Sequence, residues 1–143
     1  MSHSLSKIWI HAIWSTKNRE RLITPHLETR IYEYLANQLI ELGCKVNTIN
    51  GMPDHIHCLF LLNQQKSVSE VMKQIKGSSS HFINQNDLID SKFSWQTGYA
   101  AFSVSESMVS KTDNYIKNQK AHHTKRSFQE EYTEFMNLYG LQL

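Results

Sequence analysis

The chain alternates between short apolar runs, which predict strands, and longer segments in which apolar residues recur at helical spacing. The run Ile8–Ser15 is apolar on both alternating faces, which is typical of a strand covered on both sides. The segment that follows predicts an amphipathic helix, because an apolar residue returns every four positions. These residues are Leu27, Ile31, Leu35 and Leu39.

Turn and capping signals divide the chain between these elements. Thr24 followed by Pro25 predicts an N-cap with proline at the first helical position, and Gly43 predicts the end of that helix. Ser67–Glu70 has the capping-box pattern and predicts the start of a second helix. Asn50–Asp54, which contains Asn-Gly and Pro-Asp, predicts the turn of a β-hairpin.

The predicted order of elements is β-α-β-β-α-β followed by further helix, which is the ferredoxin-like order. We therefore expect a single domain over residues 1–143, of the α+β class, with a ferredoxin-like (RRM-like) antiparallel sheet and a C-terminal helix. In this topology the first and third strands are neighbours at the sheet centre, which places His11 near the third strand. The predicted elements are strands Ile8–Ser15, Cys44–Ile49, His55–Leu62 and Tyr99–Ser105, and helices after Thr24, from Ser67 towards Phe82, from about Ser107 past Gln119, and from about Ser127 to Leu138.

Composition and charge add few constraints. The formal charge of +2 is compatible with nucleic-acid binding only if the basic residues cluster on one face. No apolar run is long enough to span a bilayer, and the N-terminus lacks a secretory signal, so we expect a cytoplasmic protein that does not contact membranes. Cys44 and Cys58 are interpreted as buried thiols in a reducing compartment. No phosphate-binding loop motif is present, so no nucleotide cofactor is expected.

His55 and His57 are two positions apart on a predicted strand, so both side chains point to the same face of the sheet. Neutral imidazole is a good ligand for divalent metals, and two of them at the mouth of a covered strand can reach one ion. Two half-buried histidines with ordinary hydrogen bonds remain an equally open interpretation of this motif.

Tyr115 and Gln119 are four positions apart on a predicted helix and therefore share one face. A packed ring beside a hydrogen-bonding amide is the more common meaning of this spacing. Combined with a metal site it gains a chemical meaning, because a phenol with a pKa of about 10 is a poor nucleophile unless a metal activates its target. The amide oxygen of Gln119 is a neutral ligand that would hold Tyr115 beside the ion.

His122 and His123 follow this pair. Adjacent side chains on a helix point about 100° apart, so the two cannot easily share one metal. We interpret them as solvated polar residues or phosphate contacts.

At this point the chain resembles the HUH single-tyrosine transposases of small bacterial insertion sequences and their REP-associated relatives. The family is named for a His-hydrophobic-His motif, which is His55-Ile56-His57 here, and its Tyr-xxx-Gln motif corresponds to Tyr115–Gln119. Three further phrases also look like this family, and the similarity covers nearly the whole chain. These phrases are WSTKNR (14–19), KGSSS (76–80) and WQTGYAAFSVS (95–105).

The resemblance implies a DNA transposase that cleaves and rejoins single-stranded DNA at hairpin ends. It implies Tyr115 as the nucleophile of a 5′-phosphotyrosine intermediate, and Mg²⁺ or Mn²⁺ held by His55, His57 and Gln119. It also implies a homodimer, in which the His pair of one subunit can work with the tyrosine helix of the other.

Candidate DNA contacts are the basic residues of the loop after the first strand and polar residues of the second helix, although a solvated polar face explains each of them equally well. They are Lys17, Arg19, Arg21, Lys73, Lys76 and Ser78, with His122 on the tyrosine helix. Trp14 and Trp95 can stack on bases, but large aromatics more often lie in a core.

Three other functions compete with this interpretation. A catalytically idle RRM-like module is disfavoured because the sheet lacks a clear run of base-stacking aromatics. An HUH replication or nicking endonuclease is disfavoured by a short chain without helicase motifs. A zinc hydrolase needs an acidic base, and the only neighbouring one, Asp54, is expected to point away from His55 and to serve the turn.

Overall fold

The computed structural model describes residues 4–122, 127, 129–131 and 133, which form a four-stranded antiparallel sheet with helices on both faces. Residues 129–131 and 133 are helical and Ser127 is not; the remaining residues of the predicted last helix lie outside the described ones. The strands are β1 (Trp9–Ser15), β2 (Lys45–Met52), β3 (His55–Leu61) and β4 (Ala100–Val104). The helices are α1 (Pro25–Glu41), α2 (Val68–Gln85), α3 (Val109–Lys117) and α4 (Gln119–His122), with 3₁₀ turns at Lys17–Arg19 and Glu106–Met108.

The strands lie in the order β2-β3-β1-β4, so the predicted ferredoxin-like class is confirmed. The central pair β1 and β3 is antiparallel, with Ile13 opposite His57 and His11 opposite Leu59. This register brings His11 and His57 to diagonal positions on one face of the sheet, as the topology predicted.

One face of the sheet is covered by α1 and α2. Apolar side chains from alternate positions of β1 and β3 pack there with buried residues of both helices, forming the main core. The predicted helix signals are present: Pro25 is at the start of α1, and Gly43 has a φ of 79° after its end. Ser67 and Glu70 form the predicted capping box, which contributes about 1 kcal/mol to a typical helix.

The other face carries the histidines and is covered by α3. Ile116 of α3 packs against Trp9, Leu59 and Val104, and Tyr115 packs against the pair formed by Ile13 and Phe102. Both faces of β1 and β3 are thus covered, which explains why neither strand shows a polar side.

The predicted hairpin turn was placed too early. Asn50 and Gly51 continue β2, and only Pro53 and Asp54 form the turn. Gly51 is required for close approach, since a Cβ at this position would lie 2.2 Å from the carbonyl oxygen of His55. The glycine therefore permits tight pairing of β2 with β3. Asn-Gly is more often found in a turn, where it allows an unusual backbone conformation.

The helix that carries Tyr115 is interrupted, contrary to the continuous helix predicted past Gln119. Helix α3 ends at Lys117, Asn118 has φ −95° and ψ 18°, and α4 begins at Gln119. The amide of Asn118 still donates to the carbonyls of Asn114 (3.1 Å) and Tyr115 (3.3 Å), so the break is a local tightening. Gln119 therefore stays on the sheet side of the chain, although not by regular helical spacing from Tyr115.

Both tryptophans that were candidates for base stacking lie in the core. Trp14 is 2% exposed and Trp95 8%, and their rings meet edge-on at 5.9 Å between centroids. Cys44 and Cys58 are buried free thiols, and burial raises the pKa of each. Within the part of the chain that the structure describes, no helix has the length and apolar character needed to cross a bilayer.

Candidate metal and nucleophile site

The structure brings His55, His57, Tyr115 and Gln119 together on the α3 side of the sheet. His55, His57 and Gln119 are fully buried. The Nε2 atom of His55 lies 3.3 Å from Oε1 of Gln119, and the rings of His57 and Tyr115 are 5.8 Å apart between centroids. The strand pair and the interrupted helix thus converge at one place on this face of the sheet.

His55 is held by its sequence neighbour, which corrects one expectation. Oδ1 of Asp54 lies 2.8 Å from Nδ1 of His55, although Asp54 was predicted to point away. The alternation rule did not apply, because Asp54 belongs to the turn and β3 begins only at His55. With Nδ1 held by this carboxylate, Nε2 faces the interior of the site.

His57 is held from the sheet. Its Nδ1 lies 2.8 Å from Nε2 of His11 on β1, so its Nε2 is directed away from His11 and into the site. Burial, and then the neighbouring His57, hold the pKa of His11 well below its usual value, so His11 is neutral. His11 is therefore a support for the site rather than a further charge in it.

Glu131, in the last described helical stretch, completes the site and was missed by the sequence analysis. One carboxylate oxygen lies 3.0 Å from Nε2 of His57 and 3.5 Å from Nε2 of His55. The other accepts hydrogen bonds from the Tyr115 hydroxyl and from Nε2 of Gln119, the latter at 3.1 Å. Nothing in the spacing of Glu131 marks it, since eleven residues separate it from Gln119.

The electrostatics of the site follow from these contacts. Burial alone would raise the pKa of Glu131, but hydrogen bonds from His55 and His57 hold it far below its usual value. Burial alone would lower the pKa of His55, but its hydrogen bonds to Asp54 and Glu131 outweigh this and raise it. The site therefore keeps a buried carboxylate ionised and attracts positive charge.

The donor set fits a divalent metal. His55, His57 and Glu131 each offer a ligand atom, all within 4.8 Å of one another. Two acceptor oxygens, from Gln119 and Glu131, also face Nε2 of His55. Acceptors converge in this way only around a cation, either a proton on the imidazole or a metal ion between the ligands.

The basic residues of the β1 loop lie at the surface, where Lys17, Arg19 and Arg21 are exposed. Arg19 donates to the side-chain oxygen of Gln129 at 2.9 Å, two residues before Glu131. A surface cavity of about 320 Å³ runs from Arg19 to Ile13, whose side chain packs in the same cluster as Tyr115. This loop thus contacts the segment that carries Glu131, and its cavity reaches the cluster that contains Tyr115.

The candidate contacts on α2 are arranged differently. Lys73 is exposed, whereas Lys76 is half-buried and donates to the carbonyls of Gln96 (2.9 Å) and Gly98 (2.5 Å). Ser78 is half-buried as a residue, and its hydroxyl oxygen is buried. Lys76 therefore organises the loop before β4.

His122 ends α4, and its side chain, like residue 123, lies outside what the structure describes.

The sheet order and this buried cluster define an α+β protein in which a tyrosine lies beside a group of residues that could hold a metal ion, and comparison with known proteins identifies the family. The family described as "Transposase IS200 like" matches residues 4–119. The chain therefore belongs to the IS200-like transposases, which are enzymes that cut and rejoin DNA.

Individual relatives agree with this assignment. The ISDra2 transposase TnpA of Deinococcus radiodurans is 26% identical over 114 residues, 76% of this chain and 81% of that protein. The crystal structure of a candidate transposase from Deinococcus radiodurans R1 has a TM-score of 0.67 and 22% identity, over 83% of this chain and 95% of that one. A REP-associated tyrosine transposase bound to a REP hairpin has a TM-score of 0.63 and 15% identity, over 86% and 74%. The two solved structures show that the fold is shared.

Proposed function

We propose that the protein cleaves and rejoins single-stranded DNA through a covalent bond between Tyr115 and a 5′-phosphate. The observation that carries the proposal is the meeting of the Tyr115 hydroxyl with the two inward-facing imidazoles, His55 and His57, around one carboxylate. Such a site combines a nucleophile with a place for a cation beside it, which phosphoryl transfer requires.

In the forward step the Tyr115 oxygen forms a bond to phosphorus and loses its proton, while the bond from phosphorus to the 3′ oxygen breaks. That oxygen takes up a proton and leaves as a free 3′-OH. Rejoining is the reverse attack, by a 3′-OH on the phosphotyrosine, which returns the tyrosine hydroxyl. The phosphodiester energy is retained in the tyrosine ester, so no nucleotide triphosphate is consumed.

His55, His57 and Gln119 would hold Mg²⁺ or Mn²⁺. When bound, such an ion neutralises charge on the phosphate oxygens and makes phosphorus a better electrophile. The chain itself orients these residues: Asp54 and His11 direct the imidazoles, and the break at Asn118 sets Gln119 against His55. Tyr115 is held by ring packing against Ile13 and Phe102.

We propose DNA hairpins as the recognised substrate, since the REP-associated structural relative is described as bound to one. The experiment uses labelled single-stranded oligonucleotides that carry a hairpin, incubated with the protein and Mn²⁺ and separated on a denaturing protein gel. A label on the 3′ side of the cut is expected to migrate with the protein, and EDTA is expected to prevent it. Cleavage without any covalent product would support a hydrolytic endonuclease, and binding without cleavage would support an idle binding module; either result would refute the proposal.

The β1 loop is proposed as the entrance for DNA. We expect Arg19→Glu to weaken binding of the labelled hairpin about tenfold at low salt, and to reduce the salt dependence of its Kd, because a phosphate contact is lost. Lys45→Glu is the matched control, since Lys45 is also exposed but begins β2, at the edge of the sheet. Equal effects of the two substitutions would show that only net charge matters, not this loop.

A further inference from the structure

Glu131 uses its two carboxylate oxygens for two different tasks. One oxygen faces the Nε2 atoms of both histidines, and the other accepts from the hydroxyl of Tyr115 and the amide of Gln119. With 2% of its surface exposed, the side chain is almost completely buried. Burying a carboxylate costs free energy, and its partners must offset that cost. The placement of Glu131 therefore requires an explanation.

The spacing of the donor atoms is that of neighbouring ligands on one ion. Ligands at about 2.1 Å from a six-coordinate ion lie about 3.0 Å apart along each edge, and a four-coordinate ion gives about 3.4 Å. Here Oε1 of Glu131 is 3.0 Å from Nε2 of His57 and 3.5 Å from Nε2 of His55. Oε1 of Gln119 is 3.3 Å from Nε2 of His55.

The charge of the ligand set also favours a carboxylate beside the ion. Two neutral imidazoles and an amide oxygen form an uncharged ligand set, whereas hard divalent cations favour carboxylate oxygen. Within the part of the chain that the structure describes, Asp54 is the other carboxylate in contact with the site. Asp54 reaches the far nitrogen of His55 and does not face the interior. Glu131 is therefore the group that would bring negative charge into direct contact with the ion.

We propose that Glu131 is a fourth metal ligand, and that its second oxygen holds the hydroxyl of Tyr115 and the amide of Gln119. One side chain would then connect the ion to the nucleophile. By accepting from the amide nitrogen, it also turns the amide oxygen of Gln119 towards His55. The inference rests on the proposed function for the presence of a metal, and it adds a ligand beyond the His-His-Gln set.

The test measures metal binding without DNA. Isothermal titration with Mn²⁺ is expected to give at least about tenfold weaker binding for Glu131→Gln than for the unchanged protein. Glu131→Asp keeps the charge but shortens the reach, and is expected to lie between them. Glu130→Gln is the matched control with unchanged affinity, because Glu130 is exposed and contacts Ser127.

Thermal unfolding separates a ligand from a structural residue. Mn²⁺ is expected to raise the midpoint of the unchanged protein and of Glu130→Gln, and to have little effect on Glu131→Gln. If Glu131 were merely structural, Glu131→Gln would lower the unfolding midpoint in EDTA but would leave the increase caused by Mn²⁺ intact. That result would overturn the proposal. Equal Mn²⁺ affinity of Glu131→Gln and the unchanged protein would also overturn it.

The outcome does not depend on strand cleavage. If no covalent adduct forms but Glu131→Gln loses Mn²⁺ affinity, the proposed function fails while the ligand assignment stands. If the adduct forms and Glu131→Gln binds Mn²⁺ normally, the assignment fails while the function stands.

Discussion

Tyr115→Phe is expected to abolish the covalent protein–DNA product, with a loss of at least about 10³-fold in the rate of strand cleavage. Phe lacks the oxygen that forms the bond to phosphorus, and the described groups around Tyr115 (imidazoles, an amide and a carboxylate) are already hydrogen-bonded to one another within the site. The expected readout is the absence of a labelled protein band on the denaturing gel, together with intact substrate.

The substitution should leave the fold and DNA binding almost unchanged. The ring packing against Ile13 and Phe102 does not need the hydroxyl. Loss of the hydrogen bond to Glu131 costs about 1 kcal/mol, since that carboxylate keeps its contacts with His57 and Gln119. The Kd for a labelled hairpin in EDTA, and the thermal midpoint, check these two expectations.

Tyr34→Phe is the matched control. Tyr34 stacks on Phe82 between α1 and α2, on the opposite side of the sheet from His57. We expect it to retain full cleavage, so a loss in both variants would indicate a general defect. Retention of the covalent product by Tyr115→Phe would place the nucleophile elsewhere in the chain.

The sequence predicted the parts of this site that obey a regular period. His55 and His57 share a face because a strand repeats every two residues, and the covered pattern of both central strands predicted their burial. Tyr115 and Gln119 were paired on the assumption of a continuous helix. The pairing survives the break at Asn118 only because the chain tightens there and resumes helix at once.

The remaining parts depend on tertiary packing, which no local pattern records. Glu131 reaches the site from a segment beyond α4, and its neighbour Glu130, of the same residue type, is exposed. Asp54 lies in a turn, where strand alternation does not hold. Gly51 was assigned to a turn because Asn-Gly favours one, whereas the close approach of β3 required a glycine within the strand.

The tyrosine helix is anchored to the body of its own chain at both ends. Only Ser105 and a 3₁₀ turn connect β4 to α3, and Glu106 in that turn accepts from Nε1 of Trp9 at 2.5 Å. At the far end, the side-chain amide of Asn50 donates to the carbonyl of Ile116 at 2.9 Å, and Lys120 donates to the carbonyl of Gly51 at 2.5 Å. In the single chain of this structure, Tyr115 therefore lies beside that chain's own His pair.

This anchoring leads to a second prediction with a large effect. We expect each subunit to form its own complete site, even in the homodimer that the resemblance implies. Tyr115→Phe and His57→Ala chains, co-expressed in equal amounts and purified together without selection for mixed dimers, should then show no more cleavage than either variant alone. His55→Asn in place of His57→Ala repeats the measurement with a second site variant, in case the first is poorly folded.

If the subunits exchange their tyrosine helices, a different fraction of the cleavage activity is expected to return. Random pairing makes half of the dimers mixed, and each mixed dimer would contain one intact site of two, so about a quarter of the unchanged activity would return. Mixtures of the unchanged chain with each variant calibrate the assay at known proportions of intact sites. Recovery near a quarter would show that α3 serves the partner subunit, and that the contacts of Glu106, Asn50 and Lys120 are broken or remade across the dimer. No recovery would assign the whole reaction to one chain, because Tyr115 and His57 would then act only when they are covalently part of the same polypeptide.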